Sequence, residues 1–316
     1  MRRIFITGGA GFIGQHCVGL LLSEGDTVTV FDNLSTGRRS DMERFANYSN
    51  FRFIEGDVRD PTCLIVAMAG HDVVWHLAAN GDIPRGQEDT AWDLDNNLLG
   101  THNVLEAMRA NGVKEILFSS TAAAYGDGAA NRVPLAETHG PLLPISLYAA
   151  SKIGGEALIS AYCHLFGLRA WIFRFGNVVG GGMNHGVTYD FIQKLRQNPT
   201  ELEVWGDGKG EKPYFLVEDC LWGMIVAHRH GIKQCDIYNL GTETFTTVAE
   251  VAQIVIEEMG LKDVAIKYTG GARGFPGDVP VVRYNAQKMA AYGWRAMHTS
   301  AEAVRIAARR LIASTL

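Results

Sequence analysis

Tyr148 and Lys152 stand four apart in Tyr148-Ala149-Ala150-Ser151-Lys152, inside a stretch patterned as a helix over 147–166. That spacing puts the phenol and the ammonium on one face, a turn apart. Twenty-seven residues before Tyr148, an apolar run over 115–119 closes on Ser119-Ser120-Thr121. A phenol with an ordinary pKa of about 10 is a poor base at neutral pH, and a nearby ammonium favours its ionised form. Such a tyrosine can take a proton from an alcohol while hydride leaves the same carbon. Thr121, at a strand's carboxyl end, can hydrogen-bond that oxygen and orient it. The predicted catalytic set is Tyr148, Lys152 and Thr121. A second Tyr-x-x-x-Lys, at Tyr284 and Lys288, follows no strand ending in Ser or Thr and is read as surface.

A departing hydride needs an acceptor, and the N-terminus is built to hold one. Arg2-Arg3-Ile4-Phe5-Ile6-Thr7-Gly8-Gly9-Ala10-Gly11-Phe12-Ile13-Gly14 reads as strand, tight turn and helix. Gly8 allows the turn, Gly11 lets backbone approach a diphosphate, and Gly14 lets the helix pack closely on the strand. The helix that begins at Phe12 and Ile13 points free N–H groups and its positive end at the anion. A second apolar run, 27–31, ends at Asp32, 18 residues after Gly14. A carboxylate there accepts hydrogen bonds from the adenosine ribose and repels a 2′-phosphate, so the predicted cofactor is NAD rather than NADP. Arg38 and Arg39 nearby point the other way and are read as a solvated loop. The nicotinamide's positive ring would further favour the Tyr148 phenolate.

Strand patterns at 51–55, 72–76, 115–119 and 170–174 alternate with helix patterns around 62–69, 93–110 and 147–166. Short apolar strands alternating with helices mark a parallel sheet covered on both faces. The expected architecture is therefore α/β: a Rossmann-type doubly wound parallel sheet with a smaller, discontinuous α/β substrate domain. After 174 the spacing loosens into glycine-rich loops, with helices over 187–196, 217–230, 248–259 and 301–311 and strands near 203–205 and 236–240. The expected domains are 1–178 with 214–241, binding NAD, and 179–213 with 242–316, binding substrate.

The 316 residues are 47% hydrophobic and 20% charged, enough for a sizeable core. A net charge of −5 argues against a nucleic-acid partner. No apolar run reaches the roughly 18 residues of a membrane span and no signal-type segment opens the chain, so no membrane partner and a cytoplasmic location are expected. Five scattered cysteines without Cys-x-x-Cys, and histidines in no ligand pair, predict no metal.

The chain resembles the extended short-chain dehydrogenases/reductases of the nucleotide-sugar epimerase and dehydratase type, and within them is most similar to the UDP-glucose (UDP-galactose) 4-epimerases. The likeness runs nearly end to end, through Thr7–Gly14, Asp32-Asn33-Leu34, Gly56-Asp57-Val58, His76-Leu77-Ala78-Ala79, Asn97–Thr101, Ser119–Gly126, Tyr148–Lys152 and Arg174–Gly180. It implies that Asn33, Asp57 and Val58 lie at the adenosine end of NAD, that Leu77, Ala78 and Ala79 line the cofactor, and that Asn97 is structural or cofactor-side. It also implies that Asn177 meets the sugar nucleotide's phosphates, that Arg273 grips the diphosphate through its planar fork, and that Val204 and Trp205 meet the base.

One local feature separates the reactions. Dehydratases of the family carry an Asp-Glu pair directly after the catalytic Thr; here Ala122 and Ala123 stand there, which leaves elimination without its proton carriers. The small residues 122–124 suit a pocket where a 4-keto sugar can turn over, and equally suit simple close packing. Pro84, Gly181 and the run Glu211-Lys212-Pro213-Tyr214 depart from the family's pattern, so Lys212 is expected to do an arginine's work near the nucleotide. The resemblance implies NAD-dependent 4-epimerisation of a UDP-hexose. The alternatives are a uronic-acid epimerase or decarboxylase, a 4-keto reductase, or a non-catalytic dinucleotide sensor. A homodimer through helices 93–110 and 147–166 is expected, although Leu158, Ile159, Tyr162 and Phe166 would equally serve the sheet.

Overall fold

A computed structural model of the chain describes residues 1–131 and 133–314, side chains at 128–131 excepted. Six strands lead the sheet: β1 (Arg3–Thr7), β2 (Thr27–Asp32), β3 (Phe51–Glu55), β4 (Val73–His76), β5 (Glu115–Thr121) and β6 (Arg169–Phe175). With Cys235–Leu240 they form a seven-stranded sheet ordered Cys235–Leu240, β6, β5, β4, β1, β2, β3. β1 pairs parallel with β2 (Ile6 opposite Val30) and with β4 (Thr7 opposite His76). β1, β2 and β4, inside the sheet, are buried through most of their length, which is why they read as continuous apolar runs. The reversal of strand order falls between β1 and β4, and in open sheets of this kind ligands bind beyond the strands' carboxyl ends at such a point.

The helix Leu147–Phe166 forms over the predicted span. Its buried stripe, Ala149, Lys152, Gly155, Glu156, Ile159 and Cys163, follows helical spacing. Ile159, Tyr162 and Cys163 join the core formed with Phe118, Ile116 and Ile172, and Leu158 packs against it; Phe166 stays exposed. The expected single helix over 93–110 is interrupted: Thr90–Asp93 is α-helical, Leu94–Leu99 is a π turn, and Gly100–Asn111 resumes the α-helix up to Gly112 at φ 70°. The wider turn carries Asn97, whose buried amide finds its partners away from the helix's own ladder.

By contact density the chain divides into two units, Met1–Ser120 with Leu147–Phe173 and Ala227–Ile237, and Thr121–Ser146 with Arg174–Val226 and Tyr238–Leu316. These boundaries differ from the expected 1–178 with 214–241. The segment after β5 goes with the second unit because Ala122, Tyr125 and Leu135 share a core with Val279, Val282 and Tyr284. In that unit the strand Glu201–Val204 pairs parallel with Ala265–Tyr268, and the helices Val248–Glu258 and Ser300–Ala313 each start in a Thr/Glu capping box. The Tyr284/Lys288 pair is not surface. Tyr284 is 2% exposed, precedes the helix Gln287–Ala291 rather than lying on it, and Lys288 sits 4.2 Å from the Tyr238 ring centre. Apolar neighbours distant in sequence draw the tyrosine in. Among the described residues no helix is long and apolar enough to cross a membrane, and no three His, Cys, Asp or Glu side chains converge to hold a metal.

Candidate active site

In the first unit, Gly8 turns at φ 72° and passes so close to the end of β4 that a Cβ on it would lie 2.5 Å from the Ala78 nitrogen. A Cβ on Gly14 would meet Gly8 O at 2.2 Å. Gly11 differs, since its Cβ would meet only Gly8 O, at 3.4 Å, so the protein's own packing does not demand glycine there. That leaves a cradle before the 12-residue helix Phe12–Ser23, whose N-terminus no side chain caps. A diphosphate fits such a cradle. Asp32, buried at the end of β2, accepts from Ala10 N (2.9 Å) through one oxygen and from Leu34 N (2.7 Å) through the other, tying the glycine turn to the loop that follows β2. Each oxygen keeps a further lone pair for a ribose hydroxyl. Asn33 donates to Asp57 (2.9 Å), whose carboxyl the Arg59 guanidinium pulls down to about 2. Arg39 is engaged with Glu55 and the Phe53 ring at the surface, but it opens the short helix Arg39–Glu43 with Arg38 at its cap, so the expected loop is helical from Arg39 on.

Beneath the turns at Gly8 and Ala78 lies a chain of hydroxyls and one imidazole. Ala78 N–H donates to Thr7 Oγ1 (3.3 Å), Thr7 Oγ1 and His76 Nδ1 are 2.7 Å apart, His76 Nε2 and Thr101 Oγ1 are 3.0 Å apart, and Thr101 donates to Asn97 O (2.6 Å). Thr101 spends its proton on Asn97, so His76 must donate through Nε2 and accept from Thr7 at Nδ1. Burial first, and Lys152 second, push the His76 pKa down to about 3, which keeps this single tautomer neutral. The Asn97 side chain is engaged within its own unit: it accepts from Asn80 N (2.7 Å) and donates toward Ser151 Oγ (3.0 Å) and Asp93 Oδ1 (3.2 Å). Asp93, Ser151 and Thr101 were not singled out by sequence reasoning, although a polar residue amid an apolar face was the available signal.

Lys152 is 2% exposed; its Nζ donates to Ser119 O at 2.7 Å, with the Phe118 ring centre 4.9 Å away. Burial pushes its pKa down to about 7, against the pull of Glu156 and Asp93. Glu156 in turn accepts from Ser120 Oγ at 2.5 Å. Tyr148 is half-buried one turn earlier, and its carbonyl accepts from Ser151 Oγ (2.7 Å). The first unit thus brings Tyr148 and Lys152 onto one helix face, along with Gly8, Gly11, Phe12, Ile13, Gly14, Asp32, Asn33, Asp57, Val58, Leu77, Ala78, Ala79 and Asn97 in the same unit.

The second unit holds Thr121, Asn177, Val204, Trp205, Lys212 and Arg273. Thr121 ends β5 and its Oγ1 accepts from Ala123 N (3.1 Å), leaving the hydroxyl proton to donate. Asn177 is exposed at the start of a short strand, Val204 is fully buried, and Trp205 is half-exposed with its indole N–H on Glu203 (2.9 Å). Arg273 donates to Asp278 O (2.6 Å) and to Asp127 Oδ1 (2.8 Å). Lys212 departs from its expected role. Its ammonium is spent on Asp278 Oδ1 (2.7 Å) and on Val279 O, so it fastens the loop that carries Arg273. Asp278 also accepts from Gly274 N (3.3 Å) and so organises that loop from within.

The NAD dependent epimerase/dehydratase family matches the chain over residues 4–241. The putative UDP-glucose 4-epimerase of Methanocaldococcus jannaschii is 32% identical over 298 residues, 92% of each chain. UDP-glucuronic acid decarboxylase 1 of Danio rerio is 31% identical over 80% of this chain and 60% of its own. Among solved structures, a UDP-galactose 4-epimerase superposes at TM-score 0.86 with 36% identity over 99% of both chains. The Thermus thermophilus UDP-glucose 4-epimerase, in complex with NAD, superposes at 0.84 with 33% identity over 98% of both.

Proposed function

Because the chain belongs to the NAD dependent epimerase/dehydratase family, we propose that it is a 4-epimerase of a UDP-hexose, acting through a transient 4-keto sugar. NAD, when bound, supplies a hydride acceptor that can give the hydride back. Tyr148 takes the proton from the sugar's 4-hydroxyl and returns it to the epimeric oxygen. The Lys152 ammonium favours the Tyr148 phenolate, and Thr121 donates to the same sugar oxygen. The glycine turn and the helix start at Phe12 and Ile13 take the diphosphate of NAD. Asp32 and Asn33, with Asp57 and Val58, take its adenosine; Leu77, Ala78 and Ala79 flank the ring end. Asn177, Val204, Trp205 and Arg273 receive the nucleotide sugar, and Lys212 acts by holding the Arg273 loop.

The observation that carries the reaction class is the pair after Thr121. Ala122 is buried against Tyr125, Leu135 and Val282, and Ala123 packs beside it, so neither an acid nor a base stands where elimination would need one. Epimerisation at C4 needs no further proton carrier beyond Tyr148. The decarboxylase relative keeps one other reading in play, loss of CO₂ from a uronic acid after oxidation at the same carbon. Anomeric-proton NMR of UDP-glucose, UDP-N-acetylglucosamine and UDP-glucuronic acid, each incubated with the protein and a trace of NAD, tests both. A galacto epimer from UDP-glucose or UDP-N-acetylglucosamine supports the proposal; a galacto epimer from UDP-glucuronic acid alone replaces it with a uronic-acid epimerase, and a pentose signal with CO₂ release replaces it with a decarboxylase. A homodimer belongs to the same reading, and a monomer mass by light scattering at micromolar concentration would remove it.

A further inference from the structure

Asp93 is 1% exposed and belongs to none of the roles assigned above. Its Oδ1 accepts from Asn80 Nδ2 (2.8 Å) and from Asn97 Nδ2 (3.2 Å). Its Oδ2 is buried without a hydrogen-bond partner among the described residues. Gly86 closes the space on that side, where a Cβ would lie 2.1 Å from Oδ2. A buried carboxyl with a bare oxygen is costly in either protonation state, since a proton on Oδ2 would have no acceptor. Such a group is retained for its charge or for the geometry it imposes. Both lead to the helix of Tyr148. Asn97 links Asp93 to Ser151 Oγ, and Ser151 Oγ donates to Tyr148 O, so the carboxylate is joined by hydrogen bonds to the first turn of that helix.

We propose that Asp93 is a positioning residue for Lys152: through Asn97 and Ser151 it braces the turn that carries Tyr148 and Lys152, and as an anion it favours the ammonium of Lys152 over the neutral amine. The proposal rests on the reading of Tyr148 and Lys152 as the reacting pair. The charged groups acting on Lys152 are Glu156 on its own helix and Asp93 from the interrupted helix, with His76, neutral, from β4 and Tyr148 one turn earlier on the helix. Those around Asp93 are Asp82 from the loop after β4 and Lys152. Burial and Asp82 favour its protonated form, while Asn80, Lys152 and Asn97 favour its anion. Removing the anion withdraws an attraction that stabilises the ammonium, so Lys152 must then lose its proton at lower pH.

The test is a titration of Lys152 in the full chain with NAD present, read from the ¹³Cε resonance of ¹³C-lysine-labelled protein and assigned by its loss in Lys152→Gln. Asp93→Asn keeps an acceptor oxygen for Asn80 and Asn97 and removes the charge. Its Lys152 midpoint falls by about half a pH unit or more, and the alkaline limb of kcat moves with it while KM stays within about twofold. Ser151→Ala cuts the brace and spares the charge, lowering kcat with no change in the midpoint. A midpoint in Asp93→Asn within about 0.2 units of the parent overturns the proposal. If Asp93→Asn does not fold, Asn80→Ala removes a donor that favours the Asp93 anion; a smaller fall in the midpoint supports the proposal and no fall overturns it. The NMR titration requires no turnover. A shifted midpoint in a protein that epimerises no UDP-hexose therefore supports the Asp93 coupling while removing the proposed reaction.

Discussion

Lys152 in the first unit and Lys212 in the second both carry an ammonium out of water, and their surroundings differ in kind. Lys212 faces a carboxylate, Asp278 Oδ1, at 2.7 Å and a carbonyl as well. Lys152 has a carbonyl, Ser119 O, at 2.7 Å, and Glu156 and Asp93 act on it as charges in its surroundings. Burial is the first cause lowering both pKa values; Asp278 opposes it at Lys212, and Glu156 and Asp93 oppose it at Lys152, which is carried down to about 7. An ammonium closed on a carboxylate is a fastening, because separating the two strands a charge. An ammonium left with dipoles and more remote charges keeps its field available to a neighbour, here the Tyr148 phenol one turn away. The same residue type therefore fastens a loop in one unit and, under the proposed function, tunes a base in the other.

The largest effect expected is at Tyr148. Tyr148→Phe should lower kcat by about 10³-fold or more while leaving the melting temperature and NAD binding in place. Near-normal turnover in that variant would leave Lys152 with nothing to tune and collapse the comparison. Next is Lys212→Met, which leaves the half-buried Asp278 without its cation and should cost about 2 kcal/mol in urea unfolding. A cost below about 1 kcal/mol would place Lys212 among ordinary surface pairs instead. Arg273→Ala should raise KM for the nucleotide sugar about tenfold, by removing a planar phosphate fork, with kcat changed less than about twofold.

The effect most diagnostic of Lys152 is one of pH. Its folded-state pKa, about 7, lies below the ordinary lysine value of 10.5. Between those two values the unfolded chain holds a proton that the folded chain has released. Stability contributed through this group therefore rises with pH across that window and is lowest below it. Lys152→Met should flatten that rise when urea midpoints at pH 7 and pH 9 are compared with those of the parent. An identical slope in parent and variant would mean that Lys152 is not held as a penalised cation.

The parts of the fold written in local patterning were legible in the sequence. The strand Phe51–Glu55 and the helices Leu147–Phe166 and Val217–His230 form over the expected spans, since period and burial are set by neighbours a few residues away. The glycine turn was legible too, because Gly8, Gly14 and Asp32 act within one strand–helix–strand unit. Other features gave no local signal. The π turn at Leu94–Leu99 sits inside a helical pattern and is marked by where Asn97 sends its amide. Tyr284 looked like surface because the residues that cover it, Tyr125 and Leu135 among them, lie far back in the chain.

The sequence by itself determined the parallel sheet, the glycine cradle and the Tyr148–Lys152 face, because each depends on spacing along a single element or a short unit. Tertiary structure alone decided that Lys212 closes on Asp278, 66 residues away, and that Asp93 is sealed against Gly86 with one oxygen bare. Whether a charge is spent or kept depends on what the fold brings within about 3 Å of it, and that distance is not encoded in any run of neighbouring residues.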